Sequence, residues 1–554
     1  MVDATLPAPP ATFHYADLFE YAVDRVPDRE AVVCGERRLT YRQLDRRANR
    51  LAHALLAAGV TPGEFVAIFL PNCTEYIEAM IAAWKIRATP INVNHRYVTD
   101  ELQYLLDDCG AAAVVCGRAQ AGAVAGLAGA TRSRLRTVLV VDEPESSGPP
   151  LADGVASVPG SVAYDEVIAA QPDDRPAVQG RSGDDHYVLY TGGTTGMPKG
   201  VVWRMEDALF PCFGGGDPSR LHPVAQPADM ANRMLDSPLT YFCLPPMMHA
   251  AGQWVAFSWL WAGGRVVLYA GSFDPERVWQ EVADERANLV TVVGDAIGRP
   301  LLDAWLTNPG RWDTSALFSL SNGGAPMSPA LRLDLVDTFP NLVLNDGFGS
   351  SETGAQGGFR ASSDGPDDGV ARFRPYDDNT VVVDDDGDPV EPGSDVVGRV
   401  ALRGRIPLGY LNDPERTAKS FVLHGGDRWV ITGDMAQVEP DGTIRLLGRG
   451  SGCINTGGEK VFPEEVEAAL HALDDVADVT VVGVPDDRWG QAVCAVVQPA
   501  PGATLELDDL RDRTRAHLAG YKLPKRLVVV DEIRRSPAGK ADLRWAKALA
   551  EAAE

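Results

Sequence analysis

Eleven residues carry the densest chemical signal in the chain: Tyr190 to Gly200, reading YTGGTTGMPKG. They hold glycines and threonines around a single lysine, Lys199. Glycine lets successive backbone N–H groups turn toward one point, because no Cβ blocks positive φ. A concave set of N–H groups binds anions; the hydroxyls of Thr191, Thr194 and Thr195 and one ammonium would complete a phosphate cradle with Gly192, Gly193 and Gly196. The alternative is a plain glycine-rich hairpin. A phosphate loop that opens a helix is a poorer match, since it needs Gly-Lys-Ser/Thr, whereas Pro198 precedes Lys199 and Gly200 follows it. Lysine usage favours the phosphate reading: the chain has eight lysines against 43 arginines, and before residue 400 only Lys85 and Lys199. A compact ammonium in a glycine loop of so lysine-poor a chain is not surface filler.

The elements that must hold this loop can be read on either side. His186–Tyr190 and Val201–Trp203 are short apolar runs, so the loop joins two strands. Upstream, residues 13–60 read as helix, strand pair, helix. Phe65–Leu70 and Pro90–Val93 read as strands around a helix over Tyr76–Ala88, with further alternation from Leu102 to Val141. Such alternation gives an open α/β sheet. Residues 143–162 read as a Ser/Gly/Pro linker, and the Pro/Gly/Asp-rich stretch from the loop to residue 240 as a lid or binding loop. Alternation resumes from Phe242, and the acidic stretch 361–395 reads as solvated turns between short strands. After Gly448 the texture becomes that of a compact helix–strand module, which places a boundary near residue 450.

Bulk properties narrow the function. At 554 residues the chain exceeds a single core. A formal net charge of −26 argues against nucleic acid or an anionic membrane as partner. A polyphosphate must then be gripped by local N–H groups, a few cations and a metal. The eight cysteines (Cys34, Cys73, Cys109, Cys116, Cys212, Cys243, Cys453, Cys494) show no paired spacing and suit a reduced cytoplasmic protein. The N-terminal residues lack the basic and apolar regions of a signal peptide. Leu244–Gly264 carries no charge, but its prolines and polar residues suit a buried helix leading into a strand at Arg265–Tyr269 better than a membrane span.

Further motifs follow in order. They are Ser321-Asn322-Gly323-Gly324-Ala325-Pro326, Gly347-Phe348-Gly349-Ser350-Ser351-Glu352-Thr353, Trp429–Asp434, Gly448-Arg449, Gly457-Gly458-Glu459-Lys460 and Arg535–Lys540. With the 190–200 loop they resemble, across nearly the whole chain, the adenylate-forming superfamily of acyl-CoA synthetases, luciferases and peptide-synthetase adenylation domains. The resemblance implies an α/β fold: a large N-terminal domain (1–449) of α/β layers plus a small distorted β-barrel, and a small mobile C-terminal α+β domain (450–554). It implies ATP, Mg²⁺ and coenzyme A as cofactors. Lys199 would contact phosphates, Glu352 would hold Mg²⁺, and Gly323–Pro326 and Phe348–Ser351 would contact the nucleotide. Asp434 and Arg449 would take the ribose. Lys540 would bridge the substrate carboxylate and α-phosphate, His249 would line the acyl pocket, and Gly457–Lys460 would present themselves for thioester formation.

The resemblance implies that a carboxylate attacks the α-phosphate of ATP, and that the thiol of coenzyme A then displaces AMP. Local sequences such as FGSSETGAQG and RRSPAGKADLRWAK are most similar to bacterial ligases for steroid side-chain and other bulky or fatty acids. A large alicyclic, terpenoid or steroid-like acid is therefore expected, with Ala250-Ala251-Gly252 leaving room for it. Ser451 stands at the hinge where relatives carry Asp or Lys, which exposes the adenylation half most and leaves a ligase specialised for thioesterification as one alternative. An enzyme loading a separate carrier protein, a light-emitting oxidase and a silent nucleotide-binding scaffold are the others. Oligomeric state stays open, a homodimer included.

Overall fold

The computed structural model describes residues 7–142, 158–192, 197–324, 327, 329–360, 372–384, 386–394, 396–449, 454–461, 463–534 and 541–553. Helix Tyr41–Ala57 shows how local sequence sets an element. Thr40 Oγ1 accepts from the Gln43 N–H at 3.2 Å and Gln43 Oε1 accepts from the Thr40 N–H at 2.8 Å, a reciprocal cap. Its buried stripe, Leu44, Ala48, Leu51 and Leu55, follows helical spacing and packs on helix Thr74–Lys85, itself buried throughout. That second helix ends three residues before the expected Ala88, and Arg87, at φ 60°, turns the chain toward the strand Thr89–Asn92.

Three sheets carry the N-terminal part. The first is parallel, ordered Thr89–Asn92, Phe65–Phe69, Ala113–Gly117, Thr137–Val141, Val162–Ala163. The second begins with a parallel run through Glu30–Cys34, Arg265–Leu268, Thr240–Cys243, Leu289–Val292, Ser319–Asn322 and Val343–Ser350. The strands Glu30–Cys34, Arg265–Leu268, Thr240–Cys243 and Leu289–Val292 are mostly buried, as a sheet covered by helices requires, whereas Ser319–Asn322 and Val343–Ser350 carry polar residues. It turns antiparallel at Gly354–Arg360 and continues through Arg372–Pro375, Ile444–Arg449, Asp427–Val438, Gly398–Arg403 and Thr380–Val383. The antiparallel end wraps a small core of Phe373, Val382, Val400, Ala436 and Ile444. The expected barrel part is thus hydrogen-bonded as a continuation of the large sheet. A three-stranded antiparallel sheet, Gly409–Tyr410, Pro198–Arg204 and His186–Gly192, carries the lysine loop. The C-terminal residues form their own sheet of Glu459–Val461, Ile454–Thr456, Gly490–Pro499 and Val476–Asp486, with Arg526–Val529 beside Gly490–Pro499.

The uncharged stretch resolves as a buried helix, Ala250–Trp261, followed by strand Arg265–Leu268. No helix among the described residues is long and apolar enough to cross a membrane. Seven cysteines are free and buried; Cys453 lies outside the described residues. Most of the expected linker 143–162 and residues 361–371 also lie outside them. The stretch after Arg204, expected as a lid or binding loop, is closely packed. Gly214, Gly215 and Gly216 are buried at φ 71°, 63° and 75°, and a Cβ on Gly215 or Gly216 would meet Pro223 or Met230 at 2.5 Å.

Candidate active site

The lysine loop is a hairpin whose strands pair Tyr190 with Gly200, Thr191 with Lys199 and Gly192 with Pro198. Its tip, Gly193, Thr194, Thr195 and Gly196, lies outside the described residues. Gly200 is required by packing, since a Cβ would stand 2.9 Å from the Tyr190 ring. Asn92, from the neighbouring sheet, holds the hairpin in place. Its amide donates to Tyr190 O at 2.8 Å and Met248 O at 2.7 Å, and its carbonyl accepts from the Tyr190 N–H at 2.8 Å.

Lys199 and Glu352 come together although 153 positions separate them in the sequence. The Lys199 ammonium lies 3.1 Å from Glu352 Oε1 and donates to the Tyr410 hydroxyl at 2.8 Å. That hydroxyl donates to Glu352 Oε1 at 3.0 Å, and the ammonium sits 4.0 Å from the Tyr410 ring centre. Burial, then the Glu352 charge, raises the Tyr410 pKa, so the phenol stays protonated and remains a donor. Glu352 occupies a turn fixed by Thr353, whose hydroxyl accepts from the Ser350 N–H and donates to Gly354 O, each at 3.0 Å. Tyr410 carried no motif in the sequence; only the third strand of this small sheet brings it here.

A cavity of about 330 Å³ opens beside these groups. Its wall combines Thr191 and Pro198 of the hairpin, Ser321–Gly324, Gly347–Ser351, and His249–Ala251 with Trp254 and Val255. Gly458, Glu459 and Lys460 from the C-terminal sheet close it, with Tyr521 and Lys522. Five separate stretches singled out in the sequence thus meet at one cavity. Strand Val343–Ser350 turns Gly347 and Gly349 to one face and Phe348 to the other, where its ring stacks on Phe373 at 4.3 Å. Gly252 does not make room for a ligand: a Cβ there would meet Pro246 O at 2.7 Å, so this glycine serves helix packing. Ala250 and Ala251 do line the cavity.

Asp434 and Arg449 stand opposite each other across strands Asp427–Val438 and Ile444–Arg449. The Asp434 N–H donates to Thr432 Oγ1 at 3.2 Å, and Asp434 is not among the described residues that line the cavity. Asn322 donates to Asp346 Oδ1 at 2.8 Å and accepts from the Gly294 N–H at 2.7 Å, fixing the turn that carries Gly323 and Gly324. Ala325, Pro326, the hinge Ser451 and Lys540 lie outside the described residues.

At the cavity's C-terminal end Glu459 bridges the two parts of the chain. Its carboxylate lies 2.6 Å from Arg96 Nη1 and 3.3 Å from His249 Nε2. Burial alone would push its pKa up, but His249 and Arg96 outweigh burial and hold it at about 2. His95 beside them is pushed down to about 4, by burial first and then by Arg96. Further pairs join the same short segment to the C-terminal part: Asn94 to Tyr521 at 3.0 Å, Asp100 to His517 at 2.8 Å, and Glu101 to Lys522 at 2.8 Å. The segment 94–101 was not legible as functional, because its partners lie more than 350 residues downstream.

Residues 19–411 match the model of the AMP-binding enzyme family, and residues 465–540 that of the AMP-binding enzyme C-terminal domain. The chain belongs to this family. It is 44% identical to the 3-oxocholest-4-en-26-oate–CoA ligase of Rhodococcus rhodochrous, over 96% of this chain and 95% of the relative. It is 45% identical to the medium/long-chain-fatty-acid–CoA/3-oxocholest-4-en-26-oate–CoA ligase of Mycobacterium tuberculosis, over 97% and 96%. Among solved structures, the amide bond synthetase McbA from Marinactinospora thermotolerans superposes with a TM-score of 0.75 at 28% identity, covering 97% of this chain and 99% of that one.

Proposed function

We propose that this protein is an AMP-forming acid–thiol ligase that converts a bulky hydrophobic carboxylic acid to its coenzyme A thioester. One observation carries the reading: the hairpin, the 323–324 and 347–351 turns, His249 and the 457–460 loop surround a single cavity in a chain similar to such ligases over its full length.

In the first half-reaction a carboxylate oxygen of the acid attacks the α-phosphorus of ATP, the bond to the β-phosphate oxygen breaks, and pyrophosphate leaves. The hairpin N–H groups and Lys199 hold the phosphates, and Lys540 neutralises the two negative groups as they approach. Among the described residues no cluster of three or more His, Cys, Asp or Glu could hold a metal. Glu352 as sole protein ligand fits Mg²⁺, which keeps water and phosphate oxygens around it. When bound, Mg²⁺ would neutralise charge on the phosphates, and Lys199, now on Glu352, would turn to them. Asp434 and Arg449 would take the ribose hydroxyls.

In the second half-reaction the thiolate of coenzyme A attacks the acyl carbon and AMP leaves. The loop Gly457–Lys460 lies against the cavity, the placement this step needs, so we assign the arrangement of the C-terminal part seen here to thioester formation. Residues 450–554 act as a mobile domain that exchanges this loop for the Lys540 loop about Ser451. The names of the relatives, together with Ala250, Ala251, Trp254 and Val255 in the cavity wall, support a steroid- or fatty-acid-like substrate. The test is a panel of carboxylic acids scored separately for pyrophosphate release and for thioester formation with free coenzyme A. Polycyclic or long-chain acids should give both products. Absence of ATP-dependent pyrophosphate release with every acid, or a preference for acetate over all of them, would overturn the reading.

A further inference from the structure

Arg220 is the one residue of the 205–239 stretch that reaches the cavity wall. The chain distorts itself to put it there. Arg220 lies at φ 60°, in the left-handed region that costs a non-glycine residue about 1 kcal/mol or more, and three consecutive buried glycines precede it. The guanidinium donates to Pro211 O and Cys212 O, both at 2.9 Å, and lies 5.6 Å from the Tyr376 ring centre. Pro211 O also accepts from the Ala355 N–H at 3.0 Å, which ties the arginine to the strand after Glu352.

Two of its five N–H groups are used on carbonyls, and no carboxylate of the described residues pairs with it. Other cations in and around the cavity do have such a partner: Lys522 in its wall has Glu101, and Lys199 and Arg96 nearby have Glu352 and Glu459. A half-buried guanidinium without a counter-charge is costly to maintain, and a ligand acceptor would offset that cost. Its neighbours on the wall are Tyr376, Ala355 and the bare face of Gly347 and Gly349. Gly349 must stay bare, because a Cβ would stand 2.1 Å from Gly354 O. Arg220 shares this cavity wall with Ala250 and Ala251, the small residues expected to leave room for the acid.

We propose that Arg220 is a specificity-determining residue that selects acids carrying a second oxygen acceptor, a ring ketone above all, remote from the reacting carboxyl. The proposal rests on the ligase reading above and deepens it. Binding forms a charge-assisted N–H···O=C hydrogen bond and makes or breaks no covalent bond.

The experiment uses the full chain and two polycyclic acids identical except for a ring ketone against a methylene. Wild type should prefer the keto acid in kcat/KM by about 10-fold or more, the scale of a hydrogen bond to a charged group. Arg220→Met should bring the ratio close to one, and Arg220→Lys should give an intermediate ratio. Equal kcat/KM for the two acids with wild type, or a ratio unmoved by Arg220→Met, would overturn the proposal. Equilibrium binding of both acids by calorimetry without ATP reads the same ratio independently of turnover. Absent turnover with the affinity ratio intact would sink the ligase reading and leave the subsite standing; equal affinities would sink the subsite.

Discussion

Replacing Glu459 by Gln separates the two half-reactions. The carboxylate is held at about 2 instead of its usual 4.5, a difference worth about 3 kcal/mol at 1.36 kcal/mol per unit. Its partners, however, are 45% (Arg96) and 40% (His249) exposed, so water recovers part of that when the carboxylate is lost. A net loss of about 1–2 kcal/mol of docking free energy remains, or roughly a 5- to 30-fold lower population of the arrangement seen here. Conversion of supplied acyl-AMP and coenzyme A to thioester should fall by that factor at subsaturating population, while pyrophosphate release with acid and ATP should not fall. The pH dependence has a definite sign. A depressed carboxylate pKa contributes stability that is complete above pH 4.5 and is lost as pH falls toward 2. His95, ordinarily near 6.5 and here about 4, contributes in the same direction, its part being lost as pH falls from 6.5 toward 4. Equal losses in both half-reactions for Glu459→Gln, or no loss in either, would refute the reasoning.

Tyr410→Phe removes the hydroxyl between Lys199 and Glu352 but leaves their 3.1 Å pair; it should weaken Mg·ATP by about 5-fold through a KM change, measured by pyrophosphate release against ATP concentration. Lys540→Ala should abolish most acyl-AMP formation yet spare thioester formation from supplied acyl-AMP, read by separate assays. Gly349→Ala forces a Cβ onto Gly354 O and should destabilise the fold by about 1–3 kcal/mol, visible as a lower midpoint in denaturant.

Much of this fold could be read in the sequence because local rules agreed with tertiary need. The pattern of residues 13–60 announces helix, strand pair and helix, the apolar runs Phe65–Leu70 and Pro90–Val93 announce strands, and the short apolar runs on either side of the glycines around Lys199 announce two joined strands. What stayed hidden depends on register and on distant partners. Tyr410 acquires its place from antiparallel pairing with Val201, Asn92 from three hydrogen bonds to residues about 100 and 150 positions away, and Arg96 from a carboxylate 363 positions downstream. The Pro/Gly/Asp-rich stretch up to residue 240 suggested a lid or binding loop but not that the positive φ values of Gly214–Gly216 serve a tight fold. Gly252 suggested space, yet it allows a helix to touch Pro246 O.

The Asn92 amide acts as a spacer bar. By gripping Tyr190 through both its N–H and C=O, and Met248 through its C=O, it fixes the separation between the hairpin's base and the loop that carries His249. A reaction that must bring an acid's oxygen within bonding range of a phosphorus tolerates little drift between those two supports. Evolution can therefore reshape the cavity's far walls to suit other acids while this short strap keeps the reach between activating end and acid end constant.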